Sequence, residues 1–147
     1  MTRRVAITGL GAVTPLGVGA PALLERWVAG DSAIADGVAR CADFEPTDHL
    51  SKREARRADR FSQFALVAAG EALELAGWSD QPPYASEDVG CVIGTGIGGI
   101  ATIEEQHSIL RDGGRAVSPL CVPQMIDRKS TRLNSSHAIT SRMPSSA

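Results

Sequence analysis

Apolar positions change period several times along this chain. Val5, Ala6, Ile7 and Thr8 form a short, partly β-branched run that stops at Gly9-Leu10-Gly11, the pattern of a buried strand entering a tight turn. Arg3 and Arg4 flank its solvated end. From Pro21 to Ala29, Leu23, Leu24, Trp27 and Val28 recur at helical spacing, with Pro21 in the first turn and Gly30 as a stop. This predicts an amphipathic helix packed on the first strand. Residues 31–49 show little periodicity and read as a surface excursion. After Asp59 the strongest helical signal begins, with Phe61, Phe64, Ala65, Ala68, Ala69, Ala72, Leu73 and Ala76 at three- and four-residue steps until Gly77. So many alanines imply close packing. Val89 to Ile93 predicts a second buried strand, residues 94–99 a loop, and Ile100 to Arg111 a helix closed by Gly113-Gly114. Strands alternating with helices predict an α/β architecture with parallel pairing, and no internal repeat is visible.

The remaining composition narrows the function classes. A chain of 147 residues, 43% hydrophobic and 22% charged, fits one small globular domain. A formal net charge of -2 gives no global attraction to nucleic acid or anionic membrane, so any basic site must be local. The amino-terminal MTRRVAITG lacks the apolar core of a secretory signal, and no apolar run reaches the ~18–20 residues of a membrane span. A cytoplasmic protein is expected. Cys41, Cys91 and Cys121 are odd in number and widely separated, with no CxxC spacing, and predict buried thiols rather than a disulfide framework or a metal site.

The end of the chain has a different character. The segment DRKSTRLNSSHAITSRMPSSA, residues 127–147, translates back into DNA that resembles a common short-read library adapter. It is expected to be an artefactual, disordered tail; the alternative is a natural Ser-rich basic tail too polar to fold. Residues 1–126 are then the native portion.

Two local patterns suggest binding chemistry. Gly94-Thr95-Gly96-Ile97-Gly98-Gly99 satisfies GxGxxG between a predicted strand and helix, where backbone amides can approach a pyrophosphate. The rest of that fingerprint is absent, because no acidic residue ends a following strand about 20 residues on to hold a ribose. Asp112 comes too early, and glycines that allow a sharp bend and close packing are the preferred reading. A nucleotide-binding module would require saturable binding that is lost when Gly96 is enlarged. The second pattern is Arg53, Arg56, Arg57 and Arg60 at i, i+3, i+4 and i+7, which share one face if the stretch is helical. On composition alone such a stripe is a solvated face.

Taken together, RRVAITGLGAVTPLG, the helix with Trp27, KREARRADRFSQFALVAAGEAL, VGCVIGTGIGG and SPLCVPQMI resemble, in order and spacing, the β-ketoacyl-acyl carrier protein synthases. The resemblance covers Met1 to Ile126. It implies a thiolase-like layered αβαβα fold, of which this chain would supply part of the first half, and a homodimer in the intact family. The implied reaction is decarboxylative condensation of acyl-ACP with malonyl-ACP in fatty acid biosynthesis, without a redox or metal cofactor. The family's nucleophilic cysteine lies in a TACxS-like motif beyond the matched segment and its two histidines later still. No catalytic residue is therefore expected here, and the chain as written should be inactive. Cys121 in SPLCVP, Cys91 and Cys41 do not match that motif, and His49, His107 and His137 have no matching context.

What the resemblance carries over is binding. Ile97 matches the isoleucine that lines the far end of the acyl pocket near the dimer interface. Arg53, Arg56 and Arg57 match positions that contact the acidic acyl carrier protein, with Arg115 as a possible extension of the patch. A polyketide synthase or a non-catalytic, chain-length-factor-like subunit shares these features, and the active cysteine or its replacement separates them. Cut before its sheet is complete, the isolated segment is expected to aggregate or remain molten.

Overall fold

Gly9 and Gly11 make the closest backbone approach in the amino-terminal region. A Cβ added at either would lie 1.9 Å from a carbonyl oxygen, that of Ala72 for Gly9 and that of Ala68 for Gly11. Both carbonyls belong to the longest helix, so only glycine lets the extended segment pass there. The computed structural model describes residues 4–78, 83–113 and 116–126. The expected tail, Arg115 and Gly114 lie outside the described residues.

The chain divides into two compact units, Met1–Glu45 with Leu66–Pro83, and Pro46–Ala65 with Tyr84–Ala147. In the first, β1 (Val13–Thr14) pairs antiparallel with β2 (Gly17–Val18) and leads into α1 (Ala20–Val28). The carboxylate of Glu71 secures this entry, accepting hydrogen bonds from the Ala20 amide at 2.8 Å and the Ala12 amide at 2.9 Å. A negative group thus meets the unsatisfied Ala20 amide in the first turn of α1 and also holds the extended segment at Ala12. Beyond α1, β3 (Ile34–Ala35) and β4 (Val38–Ala39) form a second antiparallel ladder. The connecting Asp36 and Gly37 have φ of 51° and 75°, as a two-residue hairpin turn demands. The expected surface excursion thus contains a hairpin whose Asp-Gly signal stands in the sequence.

The second unit contains α2 (Pro46–His49), α3 (Lys52–Ala55), the first turns of α4 (Arg60–Leu75), a 3-10 turn at Ser86–Asp88, α5 (Ile100–Arg111) and α6 (Cys121–Ile126). Ser51 and Glu54 form a capping box at the start of α3: the Glu54 amide donates to Ser51 Oγ, and the Ser51 amide donates to the Glu54 carboxylate. The helix expected after Asp59 is α4, followed by Gly77 with φ 75°. The predicted bounds of α5 are also those observed.

Four expectations need correction. The strand expected over Val5–Thr8 is extended but joins no ladder, and Ile7 is 82% exposed. Val89–Ile93 likewise joins no ladder; Val89, Cys91 and Ile93 are half-buried while Val92 is 98% exposed. Among the described residues the only ladders are the two antiparallel hairpins, so the expected parallel pairing is absent from them. A strand of a buried parallel sheet needs a partner on its edge and a layer on each face, and the described residues supply neither. For the same reason Leu24, Trp27 and Val28 of α1 are exposed rather than packed on the first strand, and α1 instead contacts β2.

Candidate functional site

The residues singled out for binding gather in the second unit. Arg53, Arg56 and Arg57 are all exposed. They do not lie on one continuous helix, because α3 ends after Ala55 and the chain turns before α4 begins at Arg60. The four-arginine helical stripe is therefore corrected to an arginine corner at a helix–helix turn. Arg60 stands apart from it, half-buried, with its guanidinium 4.9 Å from the Phe64 ring centroid.

Two glutamine side chains hold the turn. Gln63 Nε2 donates to the Ala55 carbonyl at 2.9 Å and to the Ala58 carbonyl at 3.1 Å, while Gln124 Nε2, from α6, donates to the Arg56 carbonyl at 3.1 Å. Carbonyls left open where α3 stops are thus satisfied by side chains rather than by more helix. The corner consequently has a defined backbone, and three cations project from it into solvent.

Ile97 stands on the loop before α5 and is 70% exposed. The loop is anchored on its far side. Thr95 Oγ1 accepts the Gly98 amide at 3.0 Å, and the Met125 carbonyl of α6 accepts the Gly99 amide at 3.2 Å. A Cβ on Gly98 would come 2.7 Å from the Met125 carbonyl oxygen, and one on Gly99 would come 2.8 Å from Met125 Cα. The last two glycines of the motif therefore serve close packing against α6.

Between corner and loop sits Asp59, only 7% exposed. Its Oδ2 accepts the Thr102 amide at 2.9 Å and the Thr102 hydroxyl at 2.5 Å. Thr102 is itself buried in the first turn of α5. The anion position at that helix start is thus filled by the protein's own carboxylate. A pyrophosphate brought to the same place would meet a buried negative charge and amides already engaged, which argues against nucleotide binding through this loop. Sequence reasoning passed over Asp59, Gln63 and Gln124; an Asp directly before a strongly periodic helix was the one available signal, while the glutamine partners depend on tertiary contacts.

Of the cysteines, Cys121 opens α6 and is buried, its Sγ 3.7 Å from Met125 Sδ. Cys41 and Cys91 are half-buried rather than buried as expected. No group of three or more His, Cys, Asp or Glu side chains among the described residues is placed to hold a metal ion, and no helix among them is long and apolar enough to cross a membrane.

The architecture has close counterparts of known structure. A chain of the type II PKS assembly AntDE:AntF, in which an acyl-carrier protein is complexed with its ketosynthase, superposes with a TM-score of 0.72 at 24% identity, covering 90% of this chain and 39% of that one. The ishigamide ketosynthase/chain length factor gives a TM-score of 0.63 at 23% identity, covering 85% of this chain and 34% of that one. The fold is therefore the thiolase-like fold of ketosynthases, represented in part. Residues 38–143 match the beta-ketoacyl synthase N-terminal domain, and the chain belongs to that family. The matched span runs across the Ile126–Asp127 junction. The chain is 40% identical over 144 residues to 3-oxoacyl-[acyl-carrier-protein] synthase 2 of Staphylococcus aureus (strain COL), covering 88% of this chain and 34% of that protein. It is 38% identical over 138 residues to the protein of the same name from Synechocystis sp., covering 84% of this chain and 33% of that protein. The chain thus spans about a third of the length of the curated relatives it matches.

Proposed function

We propose that the intact protein is a 3-oxoacyl-ACP synthase of fatty acid biosynthesis, and that this segment contributes carrier docking and one wall of the acyl pocket. The reading rests on the 40% identity to proteins of that name. In the proposed reaction a cysteine thiolate beyond this segment attacks the acyl-carrier thioester, forming an acyl-enzyme and releasing the carrier thiol. Malonyl-ACP then loses CO2, and the resulting carbanion attacks the acyl carbonyl. A carbon–carbon bond forms and the cysteine thiolate leaves. Two histidines beyond this segment assist decarboxylation, and backbone amides stabilise the developing oxyanion.

Arg53, Arg56 and Arg57 are the groups assigned to acyl carrier protein, an acidic partner whose attraction to three exposed guanidinium groups speeds encounter and weakens with salt. Ile97 is assigned to the end of the acyl pocket, where its bulk limits chain length. Its exposure in this segment fits a residue covered by a second copy of the chain in a homodimer. Residues 127–147 are read as adapter-derived, and a long-read nucleotide sequence across the Ile126–Asp127 junction tests that assignment directly.

The activity test uses the intact protein with acyl-ACP and malonyl-ACP, following CO2 release and 3-oxoacyl-ACP by mass spectrometry. Product that disappears when the TACxS-like cysteine is replaced by alanine supports the synthase. A parent sequence with another residue in place of that cysteine, and no condensation without a partner subunit, would assign the protein to the chain-length-factor-like class instead. A product that continues to grow by unreduced units would place it in polyketide synthesis.

A further inference from the structure

We propose that Asp59 and Thr102 form a positioning clamp that sets acyl-chain selectivity by fixing the Ile97 loop relative to the arginine corner. This deepens the proposed function and rests on the assignment of Ile97 to the acyl pocket. Asp59 follows Arg57 by two residues and is buried, while Thr102 lies five residues beyond Ile97 in the first turn of α5. One carboxylate oxygen accepts both the amide and the hydroxyl of Thr102. That same oxygen lies 3.0 Å from the point a Gly99 Cβ would occupy, so the carboxylate also abuts the backbone that ends the loop. A second tie runs through α6, where Gln124 donates to the Arg56 carbonyl while the neighbouring Met125 carbonyl accepts the Gly99 amide. Corner and loop are therefore cross-linked twice over a short path, once through a charge-assisted pair and once through α6. Neither Asp59 nor Thr102 is placed to touch substrate; both act through Ile97.

Thr102→Val removes the hydroxyl donor at nearly constant volume, and Thr102→Ser restores it. In the intact enzyme the readout is the ratio of kcat/KM for a short and a long acyl-ACP. Loss of folded protein scales both substrates alike and cancels in this ratio. Thr102→Val is expected to change the ratio at least fivefold, Thr102→Ser to return it to within twofold of the parent, and the salt dependence of the carrier KM to stay unchanged. Should Thr102→Val give no soluble enzyme, Asp59→Asn, which keeps an oxygen in place but removes the charge, is read by the same ratio and the same threshold. Ile97→Phe is the control for the underlying assignment. A ratio that moves with Ile97→Phe but not with the clamp variants overturns the clamp alone. A ratio indifferent to Ile97→Phe overturns the pocket assignment and the clamp with it.

Discussion

The two units use one device with different degrees of burial. In the first, Glu71 of α4 offers its carboxylate to the Ala12 and Ala20 amides and is itself partly exposed. In the second, Asp59 offers one carboxylate oxygen to Thr102, and both partners are buried. Each carboxylate occupies the start of a helix distant from it in sequence, α1 for Glu71 and α5 for Asp59, where unpaired amides favour a negative charge. The difference lies in what replaces it on removal. Water can reach the Glu71 site, whereas the Asp59 site would keep a dry, unsatisfied amide and hydroxyl. An acidic residue on an apolar helix, or directly before one, is therefore informative in both units, and structurally more costly to lose in the second.

The largest expected effect probes close approach in the first unit. Gly11→Val in the intact protein should destabilise it by about 3 kcal/mol or more, because the new side chain meets the Ala68 backbone rather than a movable side chain. A thermal melt unchanged from the parent would refute the contact. Asp59→Ala should cost about 2–3 kcal/mol and Glu71→Ala about 1 kcal/mol, read by denaturant unfolding. Equal costs would break the comparison, since burial would then not separate the two clamps. Gly37→Ala, at φ 75° with open space around it, should cost about 1 kcal/mol through backbone conformation alone. The smallest effect on stability belongs to the arginine corner. Replacing Arg53, Arg56 and Arg57 by alanine should change unfolding by less than about 0.5 kcal/mol, yet raise the carrier KM about tenfold at low salt and flatten its salt dependence. A large loss of stability would make the corner structural rather than a docking surface.

The segment 1–126 by itself provides a further check. Ile7, Trp27, Val92 and Ile97 are all exposed, a distribution that favours association. Expressed alone it should bind a hydrophobic dye and lack a cooperative melt; a sharp transition from a soluble monomer would contradict this.

Local signals in the sequence were enough to determine α1, α4 and α5 closely, because periodic apolar faces, a proline near a helix start and glycine stops act within a few residues. The family was legible for a related reason, since several ordered blocks together are more specific than any one motif. Asp36-Gly37 and the Ser51–Glu54 capping box were equally local and equally present, although the regions holding them read as irregular loop or as continuous helix. Tertiary structure alone decided that the arginine stripe is a corner, because the end of α3 is set by amides arriving from Gln63 and Gln124 rather than by helix propensity. It alone decided that Glu71 and Asp59 cap helices distant in sequence, since the helix amides they satisfy belong to residues 51 and 43 positions away. Whether Val5–Thr8 and Val89–Ile93 become buried strands also depends on partners that no local pattern supplies: a strand completes its hydrogen bonds only along its neighbours' edges.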